Sequence, residues 1–323
     1  MSRRALAGLA MACAALWAAP SAALDYPTRS IRLVVPYPPG GSADLIGRLI
    51  GEKLSASLGQ PVVVDNRGGA SGAIGSEFVA RSAPDGYTLL VAISDTHAIN
   101  PAVSPRLPYD PQKDFAPISL VAVQPFLLVV GPSLKVKDLA DFIRQAKDAP
   151  GKLTYASNGI GGLQHLAMVQ FSAQTGTDLA HVPYKGAAPA LSDVMGGHVD
   201  ALFISIQGVG TNLKQDKLRA LAIASSHRLA PVADVPTFKE AGVTGVEVNQ
   251  WYSIFAPAGT PNEIVQLLSA RVQEAVKSPE VSEKLRAAGT EPIGSTPAEL
   301  RDFLAGEIAQ WARVAKSHDI KVE

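Results

Sequence analysis

Twice along this chain a strand-like run stops at a glycine-bearing turn and passes directly into a helical pattern. The first unit is the run 31–35, the turn Pro36-Tyr37-Pro38-Pro39-Gly40-Gly41 and a helical pattern over 44–58. The second is the run 153–156, the turn Ser157-Asn158-Gly159-Ile160-Gly161-Gly162 and a helical pattern over 163–174. Such a unit is the building block of an α/β sheet, and it leaves the free amides of a helix start at the carboxyl end of a strand. That edge is where open α/β sheets take ligands, and anions are favoured there. In the first turn the prolines stiffen the backbone, the paired glycines allow close approach of a ligand, and Ser42 or Asp44 is placed to cap the helix.

Around the first unit the alternation continues. The helix 44–58 carries a stripe of Leu45, Leu49, Ile50, Lys53 and Leu54, expected to face the core. A second strand at 62–64, a glycine-rich turn at 66–72, a helix to Ala80 and a strand at 88–93 follow, the order of a parallel sheet. The strand 88–93 ends in Ser94-Asp95-Thr96, so three turns are expected on one rim. The apolar run 121–130, with Pro125 as its weak point, reads as a crossing between two domains. Beyond it lie helix 136–147, the second glycine unit, and further strands at 180–182, 199–204 and 218–224. The run 248–257 reads as a return crossing, and two helical patterns, 262–277 and 296–318, are expected to pack back on the first domain. The fold class is therefore α/β, two-lobed, with two hinge crossings. The domains expected are 24–125 with 247–323, discontinuous, and 126–246.

The ends and the charge narrow the function. Arg3 and Arg4 precede an alanine-rich apolar stretch and the small residues Ser21-Ala22-Ala23, the pattern of a signal peptide over 1–23. Cleavage there would remove Cys13, the chain's single cysteine, so disulfide scaffolds and thiol chemistry are excluded. Lysine plus arginine number 29, as do aspartate plus glutamate. That balance speaks against nucleic acid as a partner. A hydrophobic content of 47% is enough for a large core.

Motifs for nucleotide chemistry are incomplete. After Gly159-Ile160-Gly161 no glycine stands at the sixth place of a dinucleotide fingerprint, and no glycine run ends in Gly-Lys-Ser/Thr. No histidine pairs with another ligand at helical zinc spacing, so neither metal nor cofactor is expected. Ser94, Asp95 and His97 invite a hydrolase reading, without a base-orienting pattern to support it. His165, just inside the second helix, could either touch a ligand or be satisfied within the helix start. Tyr184-Lys185-Gly186 could equally be an aromatic wall with a cation at the cleft or a surface turn. Two helix starts, one per domain, facing one cleft would hold a small carboxylate with fixed dipoles.

Several short motifs occur together and in order: Val34-Val35-Pro36-Tyr37-Pro38-Pro39-Gly40-Gly41, Val64-Asp65-Asn66-Arg67, Ala83-Pro84-Asp85-Gly86-Tyr87, Leu107-Pro108-Tyr109-Asp110, Val182-Pro183-Tyr184-Lys185-Gly186 and Ala256-Pro257-Ala258-Gly259-Thr260-Pro261. In this the chain resembles the Bug family, the TctC-like extracytoplasmic solute receptors of tripartite tricarboxylate transporters. The resemblance implies a periplasmic, monomeric two-lobed binding protein of the Venus-flytrap kind. Such a protein closes over a small carboxylate and passes it to membrane permease subunits. It also implies ligand contacts at Tyr37, Pro38, Gly40, Gly41, Ser42 and Asp44, at Ser94, Asp95 and Thr96, at Asn158, Gly159, Gly162 and His165, and at Tyr184 and Ser205. Many relatives resemble Phe-Asp-Asn where this chain has Phe203-Ile204-Ser205. The missing acid at 204 points to a carboxylate without an ammonium group. Alternatives to a transport receptor are a secreted α/β hydrolase and a ligand-presenting signalling subunit of the same fold.

Overall fold

In the computed structural model, which describes residues 25–322, strand β1 (Ile31–Val35) leads through the first glycine turn into helix α1 (Ser42–Leu58). Strand β2 (Val62–Asn66), a helical turn at Ala70–Gly72, helix α2 (Ala73–Ala80) and strand β3 (Thr88–Ile93) follow. A π-turn at Asp95–Ile99 then runs into the short helix α3 (Asn100–Val103) and on to β4 (Phe115–Val130). The segment 1–23 and Cys13, read above as a signal peptide and its cysteine, lie outside the described residues. Among the described residues no helix is long and apolar enough to cross a membrane.

The second lobe carries α4 (Leu139–Asp148), β5 (Thr154–Ser157), α5 (Leu163–Thr175), β6 (Ala180–Pro183), α6 (Ala187–Gly196), β7 (Ala201–Ser205), α7 (Ile206–Lys214) and β8 (Arg219–Ile223). The chain then returns through β9 (Asn249–Pro257), α8 (Asn262–Lys277), α9 (Pro279–Ala287), β10 (Glu291–Pro292) and α10 (Pro297–Ser317).

Strand β4 is the spine that joins the two sheets. From Phe115 to Pro125 it pairs antiparallel with β9, in the sheet ordered β2-β1-β3-β9-β4. From Phe126 to Val130 it pairs with β7 and β8, and the second sheet continues through β5 to β6. The changeover falls at Pro125, which has no N–H to give to a ladder, so a strand can exchange partners there without stranding a donor. Next to it the Phe126 amide bonds the Val248 carbonyl at 3.0 Å, and the Ala224 amide bonds the Phe126 carbonyl at 2.9 Å. Two stretches of chain thus run side by side where β4 changes sheet partners, at 125/126 and at 248/249.

The three strands expected to run parallel do so, and antiparallel strands extend their sheet. β1 is parallel to β2 and β3, but β9 enters antiparallel between β3 and β4 because it comes back from the second lobe. In α1 the buried residues are Ala43, Asp44, Ile46, Gly47, Ile50, Gly51 and Leu54, while Leu45 is 42% exposed. The expected stripe was rotated because Gly47 and Gly51 let the helix lie close on Val35, Leu33 and Val62, a face that a count of large apolar residues misses. Helices α7 and α9, rich in small or charged residues, have no counterpart in the expected elements.

One apolar cluster runs from lobe to lobe. Trp251, Leu300, Leu304 and Trp311 join Phe126, Phe171, Phe203 and Phe238 in it. Trp251 and Trp311 are fully buried and both give their indole N–H to Glu307, at 2.8 and 3.2 Å. Helix α10 therefore anchors the return crossing rather than leaving it to solvent.

Candidate functional site

Between the lobes lies a cavity of about 690 Å³. The first lobe contributes Tyr37, the segment from Ala70 to Glu77, Asp95, Asn100 and the loop Ser104–Pro108; the second contributes Asn158 to Gly162. Ile93, Val103, Gln250 at the return crossing, and Val322 complete the lining. Of the residues expected at the site, Tyr37, Asp95, Asn158, Gly159 and Gly162 meet here.

The two glycine turns differ in where their amides go. At α1 the N-cap is Gly41, and Asp44 in the first turn reaches back so that its Oδ2 accepts from the Gly40 amide at 3.0 Å. Arg48 and Asn66 give their N–H groups to the same carboxylate, Arg48 through Nε at 3.0 Å and Asn66 through Nδ2 at 3.0 Å. Burial works against its charge, but hydrogen bonds from Arg48, Gly40 and Asn66 outweigh it and hold the Asp44 carboxyl below its ordinary range. The anion at this helix start is thus the protein's own. Pro38, Gly40, Gly41, Ser42 and Asp44 lie outside the cavity lining. Ser42 gives its hydroxyl to Gln207 Oε1 across the lobes at 2.6 Å. Only Tyr37 of this turn reaches the cavity, with its hydroxyl on the Ser71 carbonyl at 3.2 Å.

At α5 the N-cap is Gly162, and His165 stands where Asp44 stands in α1. Its Nδ1 accepts from the Gly161 amide at 3.1 Å, which requires a neutral imidazole with the proton on Nε2. Burial, with the His181 and His318 rings adding to it, pulls the His165 pKa down to about 4. His165 stacks on His181 with ring centroids 4.1 Å apart, and His181 on Tyr155 at 4.8 Å. Ser157 Oγ lies 2.7 Å from His181 Nε2, accepts from the Gly159 amide at 3.2 Å and donates to the Gly159 carbonyl at 3.0 Å. All three contacts are satisfied when His181 donates from Nε2 to the serine. The Gly162 amide makes a long bond, 3.4 Å, to the Gly159 carbonyl. Among the described residues the Ile160 amide makes no hydrogen bond, and the Leu163 amide faces the Asp95 carboxylate.

Asp95 forms part of the cavity wall. Burial raises its pKa against the opposing pull of Gln250, its own amide, the Leu163 amide and Ser94. Burial thus opposes a charge on the carboxyl at the wall that an incoming ligand meets. Ser94 and Thr96 on either side are buried and do not line the cavity, Thr96 Oγ1 closing on the Ile93 amide and carbonyl at 3.1 and 3.0 Å. His165 also lies behind the loop rather than on the cavity wall. Tyr184 is turned away, its hydroxyl on Asp193 Oδ2 at 2.6 Å, and Ser205 pairs with Phe126 in the sheet. His97 is fully buried against Phe115 and Phe255, with Nδ1 on Thr96 Oγ1, so Ser94 and His97 do not form the pair that the hydrolase reading needs.

Several lining residues carried little signal in the sequence. Arg106 sits in a proline-flanked loop that reads as a connection, and Glu77 reads as the solvated face of α2. Gln250 could have been found, because a polar residue beside the apolar alternation of β9 marks the strand end that faces the cleft.

The family model described as "Tripartite tricarboxylate transporter family receptor" matches residues 46–320. Protein BugT of Bordetella pertussis is 40% identical over 320 residues, covering 99% of this chain and 98% of BugT. A solved R. palustris protein with adipate superposes with a TM-score of 0.82 at 39% identity, covering 92% of this chain and 99% of that one. MatC from Rhodopseudomonas palustris with bound malate superposes with a TM-score of 0.77 at 35% identity, covering 90% and 99%.

Proposed function

Because this chain belongs to the tripartite tricarboxylate transporter receptor family, the Bug or TctC-like receptors, we propose that it is the periplasmic subunit that captures a small carboxylate and delivers it to a membrane permease. It is a solute-binding receptor and not an enzyme, as its relatives are. The observation that supports the finer reading is the cavity itself. One wall, Asn158–Gly162, belongs to the second lobe, while Tyr37 and Asp95 belong to the first, so a ligand that touches both draws the lobes together. Binding free energy that favours the closed arrangement is what a permease can read.

In this reading the lobes divide at the two crossings, 24–125 with 247–323 against 126–246, and the receptor works as a monomer. The ligand's carboxylate takes the Ile160 side of the second glycine loop, beside Asn158, Gly159 and Gly162. Arg106 and Tyr37 face it from the first lobe. From the sequence contrast at Ile204, a residue buried in the second lobe's core outside the cavity lining, this reading takes the ligand to be an acid without an ammonium group, mono- or dicarboxylic. Calorimetric titration with adipate, malate and glutamate tests this. We expect one-to-one reversible binding of adipate or malate and none of glutamate. At a hundredfold excess over Kd such a ligand adds about 2.7 kcal/mol of stability, visible as a raised melting temperature. Tight binding of glutamate, or turnover of the bound acid, would contradict the reading.

A further inference from the structure

Helix starts α1 and α5 share one construction: a glycine N-cap, and a side chain three residues on that accepts from the amide of the residue before the cap. In α1 that side chain is a carboxylate and in α5 an imidazole. We propose that His165, backed by His181 and Ser157, is the positioning residue of the second glycine loop: it fixes the loop as Asp44 fixes the first, but adds no charge of its own to a helix start whose Leu163 amide already faces Asp95, and so leaves the loop's cavity edge to the ligand's carboxylate.

The geometry carries this in three steps. The pin is local and complete, since Gly161 is held by His165 at 3.1 Å and Gly159 by Ser157 at 3.2 Å, with His181 behind the serine at 2.7 Å. The pinned amides are those of residues 159 and 161, which leaves the Asn158 and Ile160 amides of the loop without an acceptor among the described residues. The rings behind the loop form one stack, Tyr155, His181 and His165, which leaves His165 8% exposed and allows it little freedom to swing away. A carboxylate in place of the imidazole would make the same hydrogen bond and set a negative charge against the helix start, where an anion is otherwise stabilised.

The proposal rests on the carboxylate-receptor reading, and its test separates the two. Adipate is titrated calorimetrically into wild type, His165→Asn, His165→Asp and His165→Phe at neutral pH. The exchange rate of the Gly161 amide is followed by NMR in each without ligand. Asparagine places an oxygen near the position of Nδ1, so His165→Asn is expected to keep affinity within about threefold of wild type. His165→Asp keeps the Gly161 amide protected but loses about thirtyfold in affinity, equivalent to about 2 kcal/mol. His165→Phe keeps the stack, loses protection of Gly161 and binds about tenfold more weakly.

Unchanged Gly161 exchange in His165→Phe overturns the pin. Equal affinities of the Asn and Asp variants overturn the role of the uncharged side chain. Should wild type bind no acid at all, the carboxylate reading fails, and the Gly161 exchange rates still decide the pin. If His165→Phe does not fold, Ser157→Ala serves instead, with faster exchange expected at Gly159 and protection retained at Gly161.

Discussion

The glycine turns after β1 and after β5 look alike on paper and end up with opposite duties. After β1 the turn is closed by its own acid, with Asp44 taking the Gly40 amide and Arg48 and Asn66 holding Asp44. After β5 the turn is closed by a neutral histidine, and its outer edge lines the cavity. A free helix start attracts anions only if the chain has not already supplied one. In the proposed reading, the residue three places beyond the N-cap, a carboxylate in one unit and a neutral imidazole in the other, makes the first turn structural and the second receptive.

Acid should separate the two turns most strongly. His165 in the folded protein sits near pKa 4, below its ordinary 6.5, so the unfolded chain takes up the proton first and stability falls as pH drops from about 6.5 towards 4. The size expected for His165 alone is about 3 kcal/mol between pH 7 and 4. The charged or titratable groups it feels there are His181 and His318, with Tyr155 completing the stack. Buried His97, pulled down to about 3, adds loss of the same sign. Asp44, with its carboxyl lowered from 3.8, keeps its contribution throughout that window and gives it up only below it. Urea unfolding at pH 7 and pH 4 checks this: His165→Asn should flatten the fall, whereas an unaltered pH dependence would contradict it.

Next in size, Asp44→Ala removes a buried acceptor shared by three donors. We expect a loss of about 2 kcal/mol in unfolding free energy at pH 7 with adipate affinity changed less than about threefold, because the first turn is structural. A large drop in affinity with little loss of stability would make that turn a ligand site after all.

The N-cap glycines give a smaller and sharper contrast. A Cβ on Gly162 would stand 2.5 Å from Asn158 Oδ1, while one on Gly41 would meet nothing within 4 Å. Neither glycine needs a positive φ. Gly162→Ala should displace Asn158 and weaken adipate binding about tenfold, or about 1.4 kcal/mol. Gly41→Ala should cost no more than about 1 kcal/mol of stability and leave affinity within about twofold. Paired titrations decide it, and equal effects would erase the distinction.

Much of this was legible beforehand because it depends on period and punctuation. The glycine turns and the strands before them were marked by apolar runs, and the change of partners along β4 by Pro125. The cavity itself was only half legible. Which of two similar turns faces the cleft depends on where Asp44 and His165 reach, and a side chain's reach back to residue i−4 looks the same in sequence whether it satisfies the loop or meets a ligand. Tyr184 and Ser205 are contacts that the family resemblance implies, yet their partners here, Asp193 and the β4 ladder, are set by packing that no local pattern reports. Arg106 and Glu77 became visible only when the loop before β4 and helix α2 were brought to one rim.

The smallest effect concerns the contact between the lobes at the first turn. Gln207→Ala removes the Ser42 hydroxyl's partner, and we expect about 0.5–1 kcal/mol at most in adipate affinity, with a slightly larger radius of gyration by small-angle scattering in the ligand-free protein. An affinity loss beyond tenfold would mean that this contact, and not the second glycine loop, governs closure.

A crystal structure of the wild-type protein grown with adipate bears most directly on the difference between the turns. The expected result is a carboxylate within hydrogen-bonding distance of the Ile160 amide beside Asn158, with Asp44 still on Gly40. A carboxylate seated at Gly40–Ser42 with Asp44 displaced, and an unoccupied second loop, would contradict it.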